Sequence, residues 1–250
     1  MSKTIFITGV TAGIGLAAAR KFVRQGWQIV GTGRRRDRLD ALAGELGALF
    51  HPLPLDMRDA DGFAAAFDAL PVPFRGIDLL LNNAGLAPPM SNLQDAEQGP
   101  IDTVIETNVG GLVALTRTLL PTLIERKGAI INMASVAATY PYRGGAVYAG
   151  SKAFVRQFGL GLRCDLAGTG VRVTSIDPGM IETEFTLVRT GGDHAASDAL
   201  YADMDPMTAE DLADTIWWVA TLPPHMNINA LELMPTSQSW AGFTVHRHEG

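Results

Sequence analysis

The stretch Thr4-Ile5-Phe6-Ile7-Thr8-Gly9-Val10-Thr11-Ala12-Gly13-Ile14-Gly15 decides the fold. A run of β-branched and aromatic residues passes directly into three glycines, and a helical apolar pattern follows over 13–25. Glycines let a chain turn tightly and bring its backbone close to a ligand, and a helix N-terminus offers free N–H groups and the positive end of a dipole. The junction therefore has the chemistry of a pyrophosphate cradle, with Gly9, Thr11, Ala12, Gly13, Ile14 and Gly15 as its candidate residues. Glycines also serve ordinary turns; the position immediately after the first strand is what favours the cradle. The spacing is Gly-x-x-x-Gly-x-Gly rather than Gly-x-Gly-x-x-Gly.

Outward from this junction, short apolar runs alternate with longer helical patterns. Strands are expected at 3–8, 28–32, 49–53, 79–82, 129–133, 172–176 and 230–233, and helices at 13–25, 36–46, 58–69, 101–126, 147–166 and 209–220. Consecutive Ile, Leu and Val in the strands suit burial on both faces. The alternation implies an α/β fold: a doubly wound, seven-stranded parallel sheet with helices on both faces, a Rossmann fold. No linker, repeat or low-complexity tract divides the chain, so residues 1–250 are read as one dinucleotide-binding and catalytic domain. The longest break, 182–205, contains Gly191-Gly192-Asp193-His194 and follows a strand end, where ligands bind in this architecture. It is read as a substrate lid.

Of the 250 residues 47% are apolar and 18% charged, ample for a large core, and the net charge is −6. That balance argues against nucleic acid or an anionic membrane as the partner. The single cysteine, Cys164, forms no internal disulfide and points to a reducing, cytoplasmic setting; within the helical run it is expected to pack in the core. No apolar window reaches the roughly 18–20 residues that span a bilayer, and no secretory leader is apparent. The histidines His51, His194, His225, His246 and His248 are scattered, so no metal site is expected.

At the end of the second strand the sequence reads Val30-Gly31-Thr32-Gly33-Arg34-Arg35. An acidic residue there would bind ribose hydroxyls; glycine followed by Arg34 and Arg35 suits a 2′-phosphate, so the expected cofactor is NADP. Asp56 falls where it either meets an adenine edge or caps the helix expected from 58. Tyr148 and Lys152, at i and i+4, share a helical face. A neighbouring ammonium favours the phenolate of a tyrosine that is otherwise a poor base at neutral pH. Ser135, just beyond the strand 129–133, can turn its hydroxyl to the same pocket.

With these residues in order, the chain resembles the short-chain dehydrogenase/reductase family over essentially its whole length. The motifs are Thr8-Gly9-x-x-x-Gly13-x-Gly15, Asn82-Asn83-Ala84-Gly85, Asn108, Ser135, Tyr148-x-x-x-Lys152 and Pro178-Gly179. The resemblance implies that Tyr148 is the acid in reduction and the base in oxidation. It implies that Ser135 orients the reacting oxygen, that Lys152 binds the nicotinamide ribose and lowers the tyrosine pKa, and that Asn108 holds a water of a proton relay. Asn82, Ala84 and Gly85 would steady the sheet and line the adenosine side; Pro178, Gly179, Ile181 and Thr183 would border the nicotinamide, Thr183 as a cap or a carboxamide contact.

Four further stretches narrow the resemblance: 32–35, 148–158, 184–189 and 227–236. Together they look like the NADP-dependent 3-hydroxy acid dehydrogenase subgroup, which acts on serine, allo-threonine and similar hydroxy acids and reduces malonic semialdehyde. A homotetramer is implied as well. A carboxylate substrate needs a cationic partner, for which Arg143 and Arg189 flank the motifs. The competing readings are a broad carbonyl or 3-ketoacyl reductase of the same family, and a catalytically idle NADP-binding regulatory protein.

Overall fold

The computed structural model describes residues 2–240. Seven parallel strands form one sheet: β1 (Thr4–Thr8), β2 (Gln28–Gly33), β3 (Phe50–Pro54), β4 (Ile77–Asn82), β5 (Ala129–Met133), β6 (Arg172–Pro178) and β7 (Ala230–Leu233), in the order β3-β2-β1-β4-β5-β6-β7. Side chains alternate across it. Ile5, Ile7, Leu79, Leu81 and Ile131 enter one core with Phe22, Leu39 and Ile216, while Phe6, Leu80 and Ile130 enter the other with Phe63, Leu119 and Leu162. Pro52 and Pro54 lie in β3, at the sheet edge, where a missing N–H disrupts no second ladder.

The helices are α1 (Gly13–Arg24), α2 (Arg36–Leu46), α3 (Phe63–Asp68), α4 (Gln98–Ile105), α5 (Leu112–Glu125), α6 (Ala146–Asp165), α7 (Glu184–Arg189), α8 (His194–Ala199) and α9 (Ala209–Ala220). On the first face α1 packs on α9, where the rings of Phe22 and Trp217 meet edge to face at 5.1 Å. Strand order reverses between β1 and β4, which opens a crevice beyond their carboxyl ends. Among the described residues no helix is long and apolar enough to cross a membrane.

Four expectations are corrected. The helix expected over 101–126 is interrupted by a π-helical turn, Glu106–Gly111, where Gly111 passes so close to Met57 that a Cβ would lie 2.0 Å from its carbonyl oxygen. The helix expected over 58–69 shortens to α3 behind a 3-10 turn, Ala60–Gly62, because Asp56 is tied to Arg58 instead of leading into a helix. The break at 182–205, where no helix is expected, holds α7 and α8, each capped by a side chain, Thr183 and Asp193. Cys164 is exposed rather than packed, since Leu162 and Leu166 take the buried face of α6 and a residue midway between them points outward.

Candidate active site

The cradle is built by close approach. Gly9 has φ +70 and Gly13 φ +51, and a Cβ on Gly15 would lie 2.3 Å from the Gly9 carbonyl oxygen. Ala12 precedes α1 with no side-chain cap and no acidic residue in the first turn, which leaves the N–H groups there for an anion. Thr8 and Asn83 hold the loop. Asn83 Nδ2 donates to the carbonyls of Thr8 (2.8 Å) and Gly9 (3.1 Å), and Thr8 Oγ1 accepts from the N–H groups of Asn83 and Ala84, both at 2.9 Å. Asn82 faces the other way: its amide donates to Thr116 Oγ1 at 3.0 Å and Asn132 Oδ1 at 2.8 Å in the interior. The resemblance has Asn82 steady the sheet and line the adenosine side; strand alternation sends its side chain into the core, where it joins β4 to β5, and gives the crevice to Asn83, Ala84 and Gly85.

At the carboxyl end of β2, Arg34 and Arg35 are exposed, and Arg35 donates to Thr11 Oγ1 at 3.0 Å. A Cβ on Gly33 would lie 2.8 Å from the Thr11 methyl, so the glycine admits this packing. Asp56 forms a forked ion pair with Arg58, with its shortest contact 2.6 Å, and this hydrogen bonding holds its pKa down to about 2. Arg34 adds to that depression, so Asp56 and Arg34 share one neighbourhood. The glycine cradle, the uncapped helix and the exposed guanidinium groups fit a dinucleotide carrying an additional phosphate.

At the reacting end, α6 places Tyr148, Lys152 and Arg156 on one face. Lys152 is buried and donates to the Met133 carbonyl at 2.8 Å, with its ammonium 5.8 Å from the Tyr148 ring centroid. Burial pushes the Tyr148 phenol up to about 12, opposed by a hydrogen bond from Ser135 and the charge of Arg189. Burial also pushes Lys152 down to about 8, opposed by Asp177. Ser135 precedes a 3-10 turn and accepts from the Ala137 N–H at 3.2 Å, which fixes its hydroxyl beside the phenol. Asn108 sits in the π-helical turn with its amide fully engaged: it accepts from the Leu86 N–H at 3.0 Å and donates to the Leu86 carbonyl at 2.9 Å and Ser151 Oγ at 3.0 Å. Gly85 lies against both residues, since a Cβ there would be 3.1 Å from Lys152 Nζ and 3.4 Å from Asn108 Oδ1.

The segment after β6 closes the site. Ser135 Oγ lies 3.4 Å from the Pro178 carbonyl, Gly179 N donates to Leu233 O at 2.8 Å, and Ile181 bridges to Met207. Thr183 caps α7 by accepting from the Phe185 N–H at 3.3 Å. Phe185 and Arg189, one turn apart on α7, both reach Tyr148: the Phe185 ring centroid lies 5.7 Å from that of Tyr148, and the Arg189 guanidinium lies 5.7 Å from it. Arg189 also donates to Tyr142 Oη at 2.9 Å, yet its Nε is buried with no hydrogen-bond partner. Arg143 is exposed and bonds Asn92 Oδ1 at 3.3 Å, with no contact to Tyr148. Of the two flanking arginines, the structure brings only Arg189 to the tyrosine. Sequence alone gives Phe185, Tyr142 and Asn83 no role of their own, although Asn83 lies within the 82–85 motif and Phe185 within 184–189; Phe185 is open to view as the residue one helical turn before Arg189, behind a threonine cap.

Among the described residues no group of three metal-binding side chains could hold a metal ion; His246 and His248 lie outside the described residues. A family model described as short chain dehydrogenase matches residues 3–190. The chain belongs to the short-chain dehydrogenase family. Within that family it is similar to a serine 3-dehydrogenase from Agrobacterium fabrum, 58% identical with 99% of each chain covered. It is also similar to sulfoacetaldehyde reductase 2 from Chromohalobacter salexigens, 53% identical, covering 99% of this chain and 100% of that one. Among solved structures, the closed form of a serine dehydrogenase complexed with NADP+ superposes with a TM-score of 0.96 at 46% identity, covering 98% of this chain and 100% of that one. The seven-stranded Rossmann domain is thus that of a short-chain dehydrogenase.

Proposed function

We propose that the protein is an NADP-dependent oxidoreductase that interconverts a small 3-hydroxy acid, of the serine, allo-threonine or 3-hydroxypropionate type, and its 3-oxo form. One observation carries the choice of an anionic substrate: the Arg189 guanidinium, 5.7 Å from the Tyr148 ring, holds a buried Nε–H without a partner. A buried donor left unpaired is costly, and a carboxylate beside the phenol would satisfy it. Similarity to a serine 3-dehydrogenase supports the same reading.

NADP, when bound, supplies or accepts the hydride. Its pyrophosphate would rest on Gly9, Thr11, Ala12, Gly13, Ile14 and Gly15, its 2′-phosphate on Arg34 and Arg35, and its adenosine near Asp56, Asn82 (through its main chain), Ala84 and Gly85. Pro178, Gly179, Ile181 and Thr183 would border the nicotinamide end. Tyr148 gives its proton to the carbonyl oxygen in reduction and takes one from the alcohol in oxidation, while Ser135 donates to the same oxygen. Lys152 binds the nicotinamide ribose and favours the phenolate. The side chain of Asn108 is spent on Leu86 and Ser151, so a relay water there would be held by the main chain of the π-helical turn. Residues 182–205 act as the lid, carrying Phe185 and Arg189 onto the substrate. The assembly is a homotetramer, supported by the half-exposed Ile105, Ile124 and Phe154 on α4, α5 and α6, and the lone, exposed thiol of Cys164 suits the cytoplasm.

A second reading shares the site: reduction of an aldehyde bearing a sulfonate, favoured by the 53% identical sulfoacetaldehyde reductase. The test is a panel on purified protein: serine and allo-threonine with NADP+ and with NAD+, and malonic semialdehyde, sulfoacetaldehyde, acetoacetyl thioester and a neutral diketone with NADPH. Anionic substrates are expected to have the highest kcat/KM, and Arg189→Met to raise their KM about ten-fold or more while sparing the diketone. An unchanged KM in Arg189→Met would refute the anionic-substrate reading.

A further inference from the structure

Behind the reacting face lies a carboxylate that the mechanism does not use. Asp177, in β6 just before Pro178-Gly179, is fully buried. Ser175 Oγ donates to its Oδ1 at 2.7 Å, while its Oδ2 lies 3.1 Å from Arg156 Nε without an aligned hydrogen bond. A buried charge so incompletely satisfied is expensive, and an apolar residue of similar size is often no less stable in such a place. Its neighbours give it a purpose. Lys152 and Arg156 are one turn apart on the same face of α6, and that face lies over β5 and β6. Lys152 Nζ is anchored on the Met133 carbonyl, and Met133 pairs with Ile176, the residue preceding Asp177.

We propose that Asp177 is a positioning residue that keeps Lys152 charged opposite Tyr148, with Arg156 setting how much of the carboxylate's field reaches the lysine. This rests on Tyr148 and Lys152 being the acid/base pair. The charges around the group are few. From α6 come Lys152 and Arg156, and from β7 comes Glu232, which opposes ionisation of Asp177 and accepts a hydrogen bond from Tyr140 Oη at 3.1 Å. Arg156 is held in place on its other side by a hydrogen bond to Thr139 Oγ1. Around Lys152, β5 presents the Met133 carbonyl, which accepts from the ammonium, the π-helical turn the neutral Asn108, and β6 the Asp177 carboxylate, whose charge favours the ammonium against the loss of hydration. Lys152, whose ammonium lies 5.8 Å from the Tyr148 ring centroid, is the group through which the Asp177 charge would act on the phenol.

The sign follows. Without the negative charge at 177, Lys152 loses its proton at lower pH, a neutral amine favours the phenolate less, and Tyr148 ionises at higher pH. The experiment is the pH dependence of kcat/KM for hydroxy acid oxidation in the full-length protein, with melting followed by calorimetry. Asp177→Asn, which keeps the shape and the Ser175 contact, is expected to move the acidic limb to higher pH by about one unit. Arg156→Lys, which keeps the cation, is expected to leave the limb in place. Arg156→Gln removes the cation that favours ionisation of the buried Asp177, so the carboxylate is more readily neutralised and the limb moves to higher pH as in Asp177→Asn; this variant decides the matter if Asp177→Asn does not fold. A purely structural role predicts lower melting temperatures with unmoved limbs, and that result would overturn the proposal. Tyr148→Phe run beside them separates the two levels: turnover retained there refutes the acid/base pair itself, whereas turnover lost with unmoved limbs in the other variants refutes only the role of Asp177.

Discussion

A phenol pushed up to about 12 keeps its proton at neutral pH, so in the proposed reaction Tyr148 stands ready as the acid for reduction. Oxidation needs the phenolate, and its formation depends on the Lys152 ammonium, which burial limits to pH below about 8, and on positive charge from Arg189. The two directions are therefore expected to diverge with pH. Initial rates of hydroxy acid oxidation should climb from neutral toward alkaline pH, while carbonyl reduction holds and then falls as the phenol ionises. Tyr148→Phe should lower both by about a thousand-fold, within the range for loss of a general acid or base, with NADPH binding unchanged by fluorescence. Parallel pH profiles in the two directions would contradict this account. The fate of Arg189 is equally local: α7 carries it over two tyrosine rings, 5.4 Å from Tyr142 and 5.7 Å from Tyr148, whereas Arg143 reaches only Asn92.

Among elements, one π-helical turn and one short α-helix hold residues beside Lys152 and Tyr148. The π-helical turn at Glu106–Gly111 turns Asn108 inward, where it clamps Leu86 and Ser151 beside Lys152. Helix α7 has six residues, too few for a helix to persist without outside support, and its first turn depends on the Thr183 hydroxyl. Thr183→Ala removes a cap worth about 1 kcal/mol. Because α7 carries both Phe185 and Arg189, that loss is expected as a rise of about five-fold in KM for the hydroxy acid, and Thr183→Ser should restore it. Equal KM values for the alanine and serine variants would show that the cap does not govern the lid.

Across the whole molecule, the proposed lid is tied to α2 and the carboxyl end of β2. Arg38 on α2 donates to both oxygens of Glu184 at 2.9 and 3.1 Å, and Arg35 lies 3.7 Å from the same carboxylate. These groups are nearly half exposed, so the pairs are weak singly and screened by salt. Their value is in linking segments 146 residues apart in sequence. Glu184→Gln is expected to speed amide exchange across 184–199 and raise KM about two- to three-fold, with an unchanged melting temperature; molar salt should bring the wild type close to the variant. Exchange confined to its wild-type rate would rule out the tie.

The amino-acid sequence by itself determined the sheet, the crevice and the helical face that Tyr148 and Lys152 share. Strand alternation, the glycines after β1 and the i,i+4 pair Tyr148 and Lys152 are local regularities, and each fixes geometry over one or two turns of chain. The tertiary structure decided what depends on distant segments meeting. It sent Asn82 inward and Asn83 to the cradle, turned Cys164 out, broke the long helix at Asn108, and chose Arg189 over Arg143. It also set Asp177 against Arg156, a contact between β6 and α6 that no spacing along the chain encodes. The physical reason is range. Backbone sterics and periodicity act over a few residues, whereas burial and charge act through space, between side chains whose positions are known only once the sheet has closed.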